Sequence, residues 1–244
     1  MSLADVFRSV IFDHGKLLLR EFVLGARTTL RQPVNEILDA VAEVSEEALD
    51  DVLNILLSQI ARRMTAAEIV EAQKVYGRTL DYGKIYFSRA GLTNDLIFGI
   101  QDWFRGRPDS RAFVTMKLVN FDVSDGPLSN PVMIHELCHV YQYQDIGPIY
   151  AAEAIHAQLK EELTGVSAYN YGFNNRSNGE GGEVSLLNAI NNNPLLSQKE
   201  VFEIFNREQQ AMIIQHYYVR RYVERRPEAD YAAWQPIQEV HYTA

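Results

Sequence analysis

The chain is short of cysteine and of basic residues, and each shortage excludes a class of protein. One cysteine among 244 residues rules out an intrachain disulfide framework and a zinc site made of cysteines alone. The 23 Lys and Arg residues are outnumbered by 32 Asp and Glu residues, which gives a net charge of −9 at pH 7. Because binding to a nucleic-acid backbone needs a basic surface, we expect no nucleic-acid partner. The clearest basic cluster lies at the end of a predicted helix, where we interpret it as a solvated face that complements the helix dipole: Arg220, Arg221, Arg225 and Arg226.

Long apolar runs are missing as well. No stretch approaches the roughly 18–20 apolar residues of a membrane span. Charged residues from Asp5 to Glu21 interrupt any uncharged signal core of about 7–15 residues. We therefore expect a cytoplasmic protein without membrane contact, and non-classical secretion stays an open alternative. The composition does not indicate an oligomeric state.

Apolar spacing and capping signals predict helices in the N-terminal part, residues 1–75. Residues 34–60 carry apolar side chains at helical spacing, and Thr65 with Glu68 has the pattern of a capping box. The helix that Thr65 begins should end near Tyr76–Gly77.

The segment that follows has the composition of strands. Lys84–Ser88 and Arg111–Phe121 are rich in β-branched and aromatic residues, which predicts antiparallel strands, and residues 91–110 could add another. A helix should then begin with Asn130 as the cap and Pro131 in the first position and reach about Gln144. The remaining predicted elements are a helical region over residues 149–163, a polar loop over residues 172–182 and a last long helix from Asn206 towards Pro227.

These elements predict an α+β fold that is mainly helical, with a small antiparallel sheet before the helix that starts at Asn130. No linker divides the chain, so we predict one domain over residues 1–244. Residues 1–75 would form its N-terminal helical part, and residues 76–226 would hold the strands and the later helices.

The motif that points to chemistry is His135-Glu136-Leu137-Cys138-His139, an HExxH pattern. At about 100° per residue, His139 lies only about 40° around the helix from His135 and one turn along, so both imidazoles can reach one ion. Glu136 lies about 100° from His135, where it can hold a water molecule without displacing a ligand. The opposite side of the helix is apolar, which predicts an open ligand face and a buried back that consists of Met133, Ile134, Leu137, Val140 and Tyr141. Cys138 points to the wrong side of His135 and is interpreted as a small buried hydrophobe.

A catalytic zinc site needs a third protein ligand. The three-histidine version of the motif would need glycine at position 142 and histidine at position 145, but the chain has Gln142 and Asp145. A carboxylate from a later helix is then the usual solution. Glu208 is favoured because it lies in a first helical turn, and the small Ala211 one turn on allows this helix to approach another closely. The other candidates are Glu153 as the runner-up, then Glu161 and Glu162, with His156 as an outsider.

The stretch Val132–Gln144 (VMIHELCHVYQYQ) resembles the active-site helix of zincin metallopeptidases of the gluzincin-like kind. More narrowly, the chain is similar over roughly residues 75–220 to a group of uncharacterised bacterial zincin-like proteins described as Vgr-related and linked by name to type VI secretion. The shared features are a HExxHVxQ run, a Tyr-rich Ala168–Tyr171 segment, an Asn206–Ala211 segment, and the upstream pairs Tyr76-Gly77 and Asp81-Tyr82. The chain departs from this group with an insertion around Asn174–Ser197, and with His216 where an acidic residue is common.

This resemblance implies a zincin-like fold, a Zn²⁺ ion held by His135, His139 and Glu208, and Glu136 as general base. It implies no substrate. We therefore predict a zinc metallopeptidase that hydrolyses a peptide or protein substrate. Two alternatives stay open, a zincin-fold module that binds a protein without turnover and a zinc hydrolase of a non-peptide amide. Five tyrosines are conceivable donors to the developing oxyanion: Tyr143, Tyr169, Tyr171, Tyr217 and Tyr218.

Overall fold

The computed structural model describes residues 61–89, 113–115, 118–121, 128–146 and 164–238. This part of the protein is mainly helical with one small sheet, so the predicted α+β class is confirmed. The chain divides into two compact units, named here the sheet unit (Met1–Met64 with Tyr82–Pro127) and the helical unit (Thr65–Asp81 with Leu128–Ala244). The organisation as one domain stays a prediction. None of the described helices is long and apolar enough to cross a membrane.

The sheet unit holds four short strands in the order β1-β2-β4-β3. β1 is antiparallel to β2 and β3 is antiparallel to β4, whereas β2 runs parallel to β4. Phe87 of β2 and Val119 of β4 are fully buried. The bounds of the strands are β1 Arg62–Arg63, β2 Tyr86–Arg89, β3 Phe113–Thr115 and β4 Leu118–Phe121.

The expectation of a wholly antiparallel sheet is wrong for its central pair. The segment predicted as one strand, Arg111–Phe121, contains two strands that face each other, with Thr115 opposite Leu118. After this reversal β4 runs in the same direction as β2. Parallel neighbouring strands need a connection of a dozen or more residues. The long interval between Arg89 and Leu118 supplies that length. The predicted helical regions 34–60 and 149–163 and the ambiguous segment 91–110 lie outside the described residues.

The helical unit contains the remaining elements. A π-helical turn, Val219–Val223, follows the fifth helix directly, and a 3₁₀ turn lies at Glu228–Asp230, while a further 3₁₀ turn at Tyr82–Lys84 belongs to the sheet unit. The helices are α1 Ala66–Tyr76, α2 Asn130–Ile146, α3 Glu183–Asn191, α4 Gln198–Glu203, α5 Arg207–Tyr218 and α6 Gln235–Gln238.

Local capping chemistry sets the ends of α1 and α2. The Thr65 side chain accepts from the Glu68 amide at 3.2 Å while the Glu68 carboxylate accepts from the Thr65 amide at 2.7 Å, so the predicted capping box is confirmed. Gly77 ends α1 with φ +52°, a region that favours glycine. α2 begins one residue before Pro131, because the carbonyl of Ser129 accepts from the Met133 amide at 2.9 Å.

Three helices, α3, α4 and α6, and the π-helical turn were not predicted. α3 lies within the stretch that the resemblance marks as an insertion, and α4 begins directly after it. The start of α4 carries a signal in the sequence, because Ser197 and Glu200 form a second capping box. In the π-helical turn Arg220 is only 4% exposed. Its guanidinium lies 4.1 Å from the Trp234 ring centroid and its Nε donates to the Asn178 carbonyl at 2.6 Å. The expectation of a solvated face is therefore wrong for Arg220, because an aromatic ring and two carbonyls are there to receive it.

The pair α2 and α5 forms the centre of the helical unit. Both helices carry fully buried apolar side chains, and Ala211 of α5 is fully buried, which is consistent with the predicted close approach of this helix. α1 is joined to both partners, since the Tyr76 hydroxyl donates to the Ile134 carbonyl of α2 at 2.6 Å and the Tyr218 hydroxyl donates to Glu71 at 2.6 Å. The three helices thus hold the HExxH helix in a packed frame.

Candidate metal centre

The structure brings together the three residues that the sequence analysis favoured as ligands. His135 and His139 lie one turn apart on α2, with ring centroids 5.1 Å apart and ring planes at 78°. Glu208 is the second residue of α5, which begins after Asn206, whose side chain accepts from the Gln209 amide at 2.9 Å. All three side chains are buried and their ligand atoms lie within 4.8 Å of one another, close enough to bind one metal ion.

The spacing of the ligand atoms fits a metal better than it fits a hydrogen-bonded ion pair. Oε2 of Glu208 lies 3.5 Å from Nε2 of His135 and 3.3 Å from Nε2 of His139. Charge-assisted hydrogen bonds are shorter, at about 2.7–2.9 Å. Two atoms at about 2.0–2.1 Å from a zinc ion and at a tetrahedral angle are about 3.4 Å apart. The side chains are therefore placed as a ligand set with room for an ion between them.

Opposite charges govern the protonation of this cluster. Burial alone raises the pKa of Glu208, but the adjacent His139 and His135 outweigh burial and hold that pKa well below its usual range. Burial lowers the pKa of His139, yet the attraction of Glu208 prevails and raises it to about 9. Glu208 is thus an anion at neutral pH, the form in which a carboxylate binds a metal ion.

Glu136 lies beside the ligands and is 4% exposed. Burial, and secondarily repulsion by Glu208, raise its pKa, while His135 and His139 act in the opposite direction. In the described part of the chain, Oε2 of Glu136 and Nδ1 of His135 are buried without a hydrogen-bond partner. Since a buried carboxylate oxygen is costly to leave unsatisfied, the orphaned oxygen indicates a place for a water molecule or a polar ligand group.

The remaining expectations for α2 meet mixed outcomes. The face that carries the ligands is not open, because His135 and His139 are only 7% and 6% exposed and α5 packs against this helix. Cys138 is fully buried and burial raises the pKa of its thiol, so its interpretation as a buried hydrophobe is confirmed. Tyr141, predicted on the buried back, is only partly buried.

Gln142 is a residue of this site that the sequence analysis passed over. Its side chain is 1% exposed and its Oε1 lies 2.8 Å from Nδ1 of His139. A signal was available, because a residue three positions after His139 lies on the same helical face, and the HExxHVxQ run contains it.

The structure separates the five tyrosines that were considered as oxyanion donors. Tyr169 is half-buried, and its ring centroid lies 6.1 Å from that of His135. Three of the other hydroxyl groups already have hydrogen-bond partners. The Tyr218 hydroxyl donates to Glu71, and the Tyr217 hydroxyl accepts from Arg221. The Tyr171 hydroxyl accepts from Trp234 and donates to His216. Tyr143 is buried on α2. Tyr169 is thus the member of this set with its ring against a candidate ligand.

His216, the residue that departs from the resembling group, anchors a buried chain of hydrogen bonds. Trp234 Nε1–H donates to the Tyr171 hydroxyl at 2.8 Å, which donates to His216 Nδ1 at 2.7 Å, and His216 Nε2–H donates to the Arg176 carbonyl at 3.1 Å. Arg176 lies in the insertion. The hydrogen bond between His216 and Arg176 therefore joins the two features in which the chain differs from the resembling group. These hydrogen bonds satisfy both ring nitrogens of a neutral His216 side chain.

We expect His216 to make folding stability depend on pH. Burial, and then electrostatic repulsion from His135 and Arg220, lower the pKa of His216 from 6.5 to about 4. Between these values the unfolded chain binds more protons, so the free energy of unfolding falls as the pH drops from about 6.5 towards 4, by about 3 kcal/mol in total. Urea unfolding at pH 7 and pH 5 should show a smaller pH effect in His216→Gln than in the parent. Equal pH effects in both proteins would contradict this assignment.

The other candidates for the third ligand lie outside the described residues: Glu153, His156, Glu161 and Glu162. The chain matches no protein-family profile, no curated protein and no solved structure.

Proposed function

We propose that this protein is a zinc-dependent hydrolase with a zincin-like fold that cleaves peptide bonds. The observation that carries the proposal is the arrangement of His135, His139 and Glu208 around a space of ionic size, with the buried Glu136 beside it. A purely structural site would have no use for a carboxylate with an orphaned oxygen next to its ligands.

The donor set and Glu136 together favour zinc. Two histidines and one carboxylate hold zinc in hydrolases, and the same set holds Fe²⁺ in oxygenases. A hydrolase also needs a base for the attacking water, and Glu136 can fill that role, whereas an oxygenase needs none in that position. Held by His135, His139 and Glu208, a zinc ion would keep room for a water molecule or the substrate.

The proposed mechanism assigns a task to each side chain. A bound zinc ion would supply Lewis acidity, polarising the scissile carbonyl and acidifying a water molecule. Glu136 would accept the proton of the attacking water at Oε2 and pass it to the leaving amine, and its raised pKa suits both transfers. Tyr169, beside His135, would donate to the developing oxyanion.

We expect one zinc ion per chain, because the cluster offers one set of three ligands. Purification without chelators followed by elemental analysis should give a zinc content near one, with nitrogen–zinc distances of about 2.0–2.1 Å by X-ray absorption. A content near zero that does not rise when zinc is added would end the metalloprotein proposal. Iron in place of zinc would redirect it to oxygen chemistry.

Activity is tested by incubating the zinc-loaded protein with peptide libraries and identifying new termini by mass spectrometry. Cleavage supports a peptidase. Hydrolysis of small amides without peptide cleavage supports the non-peptide alternative. Zinc binding without any hydrolysis, together with capture of a protein partner, supports the binding module.

A further inference from the structure

A continuous series of side-chain amides joins the N-terminal end of α5 to the His139 ring. Gln210 Nε2 donates to the carbonyls of Phe202 at 3.1 Å and Phe205 at 2.9 Å. Gln142 Nε2 donates in turn to Gln210 Oε1 at 2.9 Å, and Gln142 Oε1 lies 2.8 Å from His139 Nδ1. Gln142 and Gln210 are at most 1% exposed, so solvent does not compete for these bonds.

The direction of every hydrogen bond in this series follows from its first two acceptors. The backbone carbonyls of Phe202 and Phe205 can only accept, so they require the NH₂ group of Gln210 and leave its oxygen facing Gln142. That oxygen also accepts from Arg207 Nη1 at 3.1 Å. The NH₂ group of Gln142 must therefore face Gln210, and its own oxygen must face His139. An amide oxygen can only accept, so the proton lies on Nδ1 of His139.

The same amide also holds the helix that carries Glu208. Gln142 Nε2 makes its second donation to the backbone carbonyl of Arg207 at 3.0 Å, and Arg207 directly precedes Glu208. One buried side chain thus bonds the ring of one candidate ligand and the backbone next to another. His135 has no such support in the described residues, because its Nδ1 is an orphan.

We infer that Gln142 is a positioning residue for the metal centre: it turns Nε2 of His139 towards Glu208 and fixes the first turn of α5 to α2. This inference rests on the proposed function for the identity of the metal. The proton on Nδ1 and its bond to Gln142 belong to the metal-free protein as well. Residues that support a ligating histidine typically contribute 10–100-fold to metal affinity.

The test compares zinc affinities, measured by competition with a chromophoric chelator, in full-length variants. Gln142→Met keeps an unbranched side chain of similar length without the hydrogen bonds, and we expect it to bind zinc about 10–100-fold more weakly than the parent. Tyr76→Phe is the matched control, since it removes a buried hydrogen bond to the Ile134 carbonyl of the same helix. Gln210→Met removes the amide that orients Gln142 and should weaken zinc binding less, in the same direction.

A second measurement does not depend on the metal. In ¹⁵N-edited spectra of the metal-free protein, the His139 Nδ1–H signal, assigned by its absence from His139→Gln, should lie downfield in the parent and in Tyr76→Phe. In Gln142→Met it should move upfield or vanish by exchange with water. If Gln142→Met does not fold, Gln210→Met takes its place in both measurements.

The outcomes separate this inference from the proposed function. Zinc affinities of Gln142→Met and Gln210→Met equal to that of Tyr76→Phe would overturn the inference and leave the metal site standing. A parent that takes up no metal would end the proposed function, and the spectra would then decide the inference alone. An Nδ1–H signal that is unchanged in Gln142→Met would overturn it in either case.

Discussion

Glu136→Gln should abolish most of the hydrolytic activity while leaving the metal in place. The amide has the size of the carboxylate and can still hydrogen-bond a water molecule, but it cannot accept a proton at neutral pH. General acid–base catalysis contributes about 10²–10⁴-fold, so kcat against a cleaved peptide should fall by at least that factor. Zinc content and the thermal unfolding midpoint should stay close to those of the parent, because Glu136 is not placed as a ligand.

The size of this effect follows from the surroundings of Glu136. Its Oε2 is buried without a partner, so the substitution breaks no hydrogen bond of that oxygen within the described residues. Burial raises the pKa of Glu136, which brings a carboxylate closer to the range in which a base works near neutral pH. The NH₂ group of the glutamine would offer a donor where the mechanism needs an acceptor.

Glu203→Gln is the matched control, since Glu203 is an exposed residue of α4 with the same charge. It should cleave the peptide at the rate of the parent. Equal cleavage by Glu136→Gln and the parent would show that Glu136 is not the base. If neither cleaves any peptide while a protein partner binds both with the same affinity, the binding-module alternative replaces the enzyme.

Signals that lie within one turn of helix were readable from the sequence. Thr65 and Glu68 form a capping box three residues apart, and the structure has the α1 start that they predict. His135 and His139 are one turn apart, so their approach follows from helix geometry alone. Glu208 is sixty-nine positions beyond His139, and helix geometry could not choose it over Glu153. A first-turn position and the neighbouring Ala211 favoured it together with the resemblance, and the structure brings it to the histidines.

Features that depend on distant contacts were not readable in this way. The parallel pairing of β2 with β4 depends on how the chain returns after a long connection, which strand composition does not encode. The role of Gln142 depends on Gln210 and on two backbone carbonyls of another segment. A glutamine in an apolar helix is ordinary until its partners are known. The sequence alone predicts a solvated charge at Arg220, because its contacts with Trp234 and the Asn178 carbonyl appear only in the folded structure.

Glu208→Ala should weaken zinc binding by well over tenfold. The substitution removes one of the three proposed ligands and the only negative charge among them, so a zinc ion would keep two neutral imidazoles at most. The oxygen that is lost lies 3.3 Å and 3.5 Å from the two Nε2 atoms, which a shorter side chain at this position cannot reproduce. Glu208→Asp retracts the carboxylate by one methylene and should also bind zinc more weakly than the parent.

Unfolding measurements on Glu208→Ala show whether the variant has lost only a ligand or has also lost its fold. Removing Glu208 takes away the strongest attraction among those that raise the pKa of His139 to about 9, while burial continues to lower that pKa. The pKa of His139 should then fall and the helix pair should stay folded, which circular dichroism and urea unfolding of the metal-free protein can verify. In the parent, saturating zinc should raise the unfolding midpoint because it binds the folded state, and in Glu208→Ala the same zinc concentration should raise it less.

Glu153→Ala is the decisive comparison for the identity of the third ligand. If Glu153→Ala keeps its zinc, the assignment to Glu208 holds. If Glu153→Ala loses the metal while Glu208→Ala retains it, Glu153 is the third ligand instead.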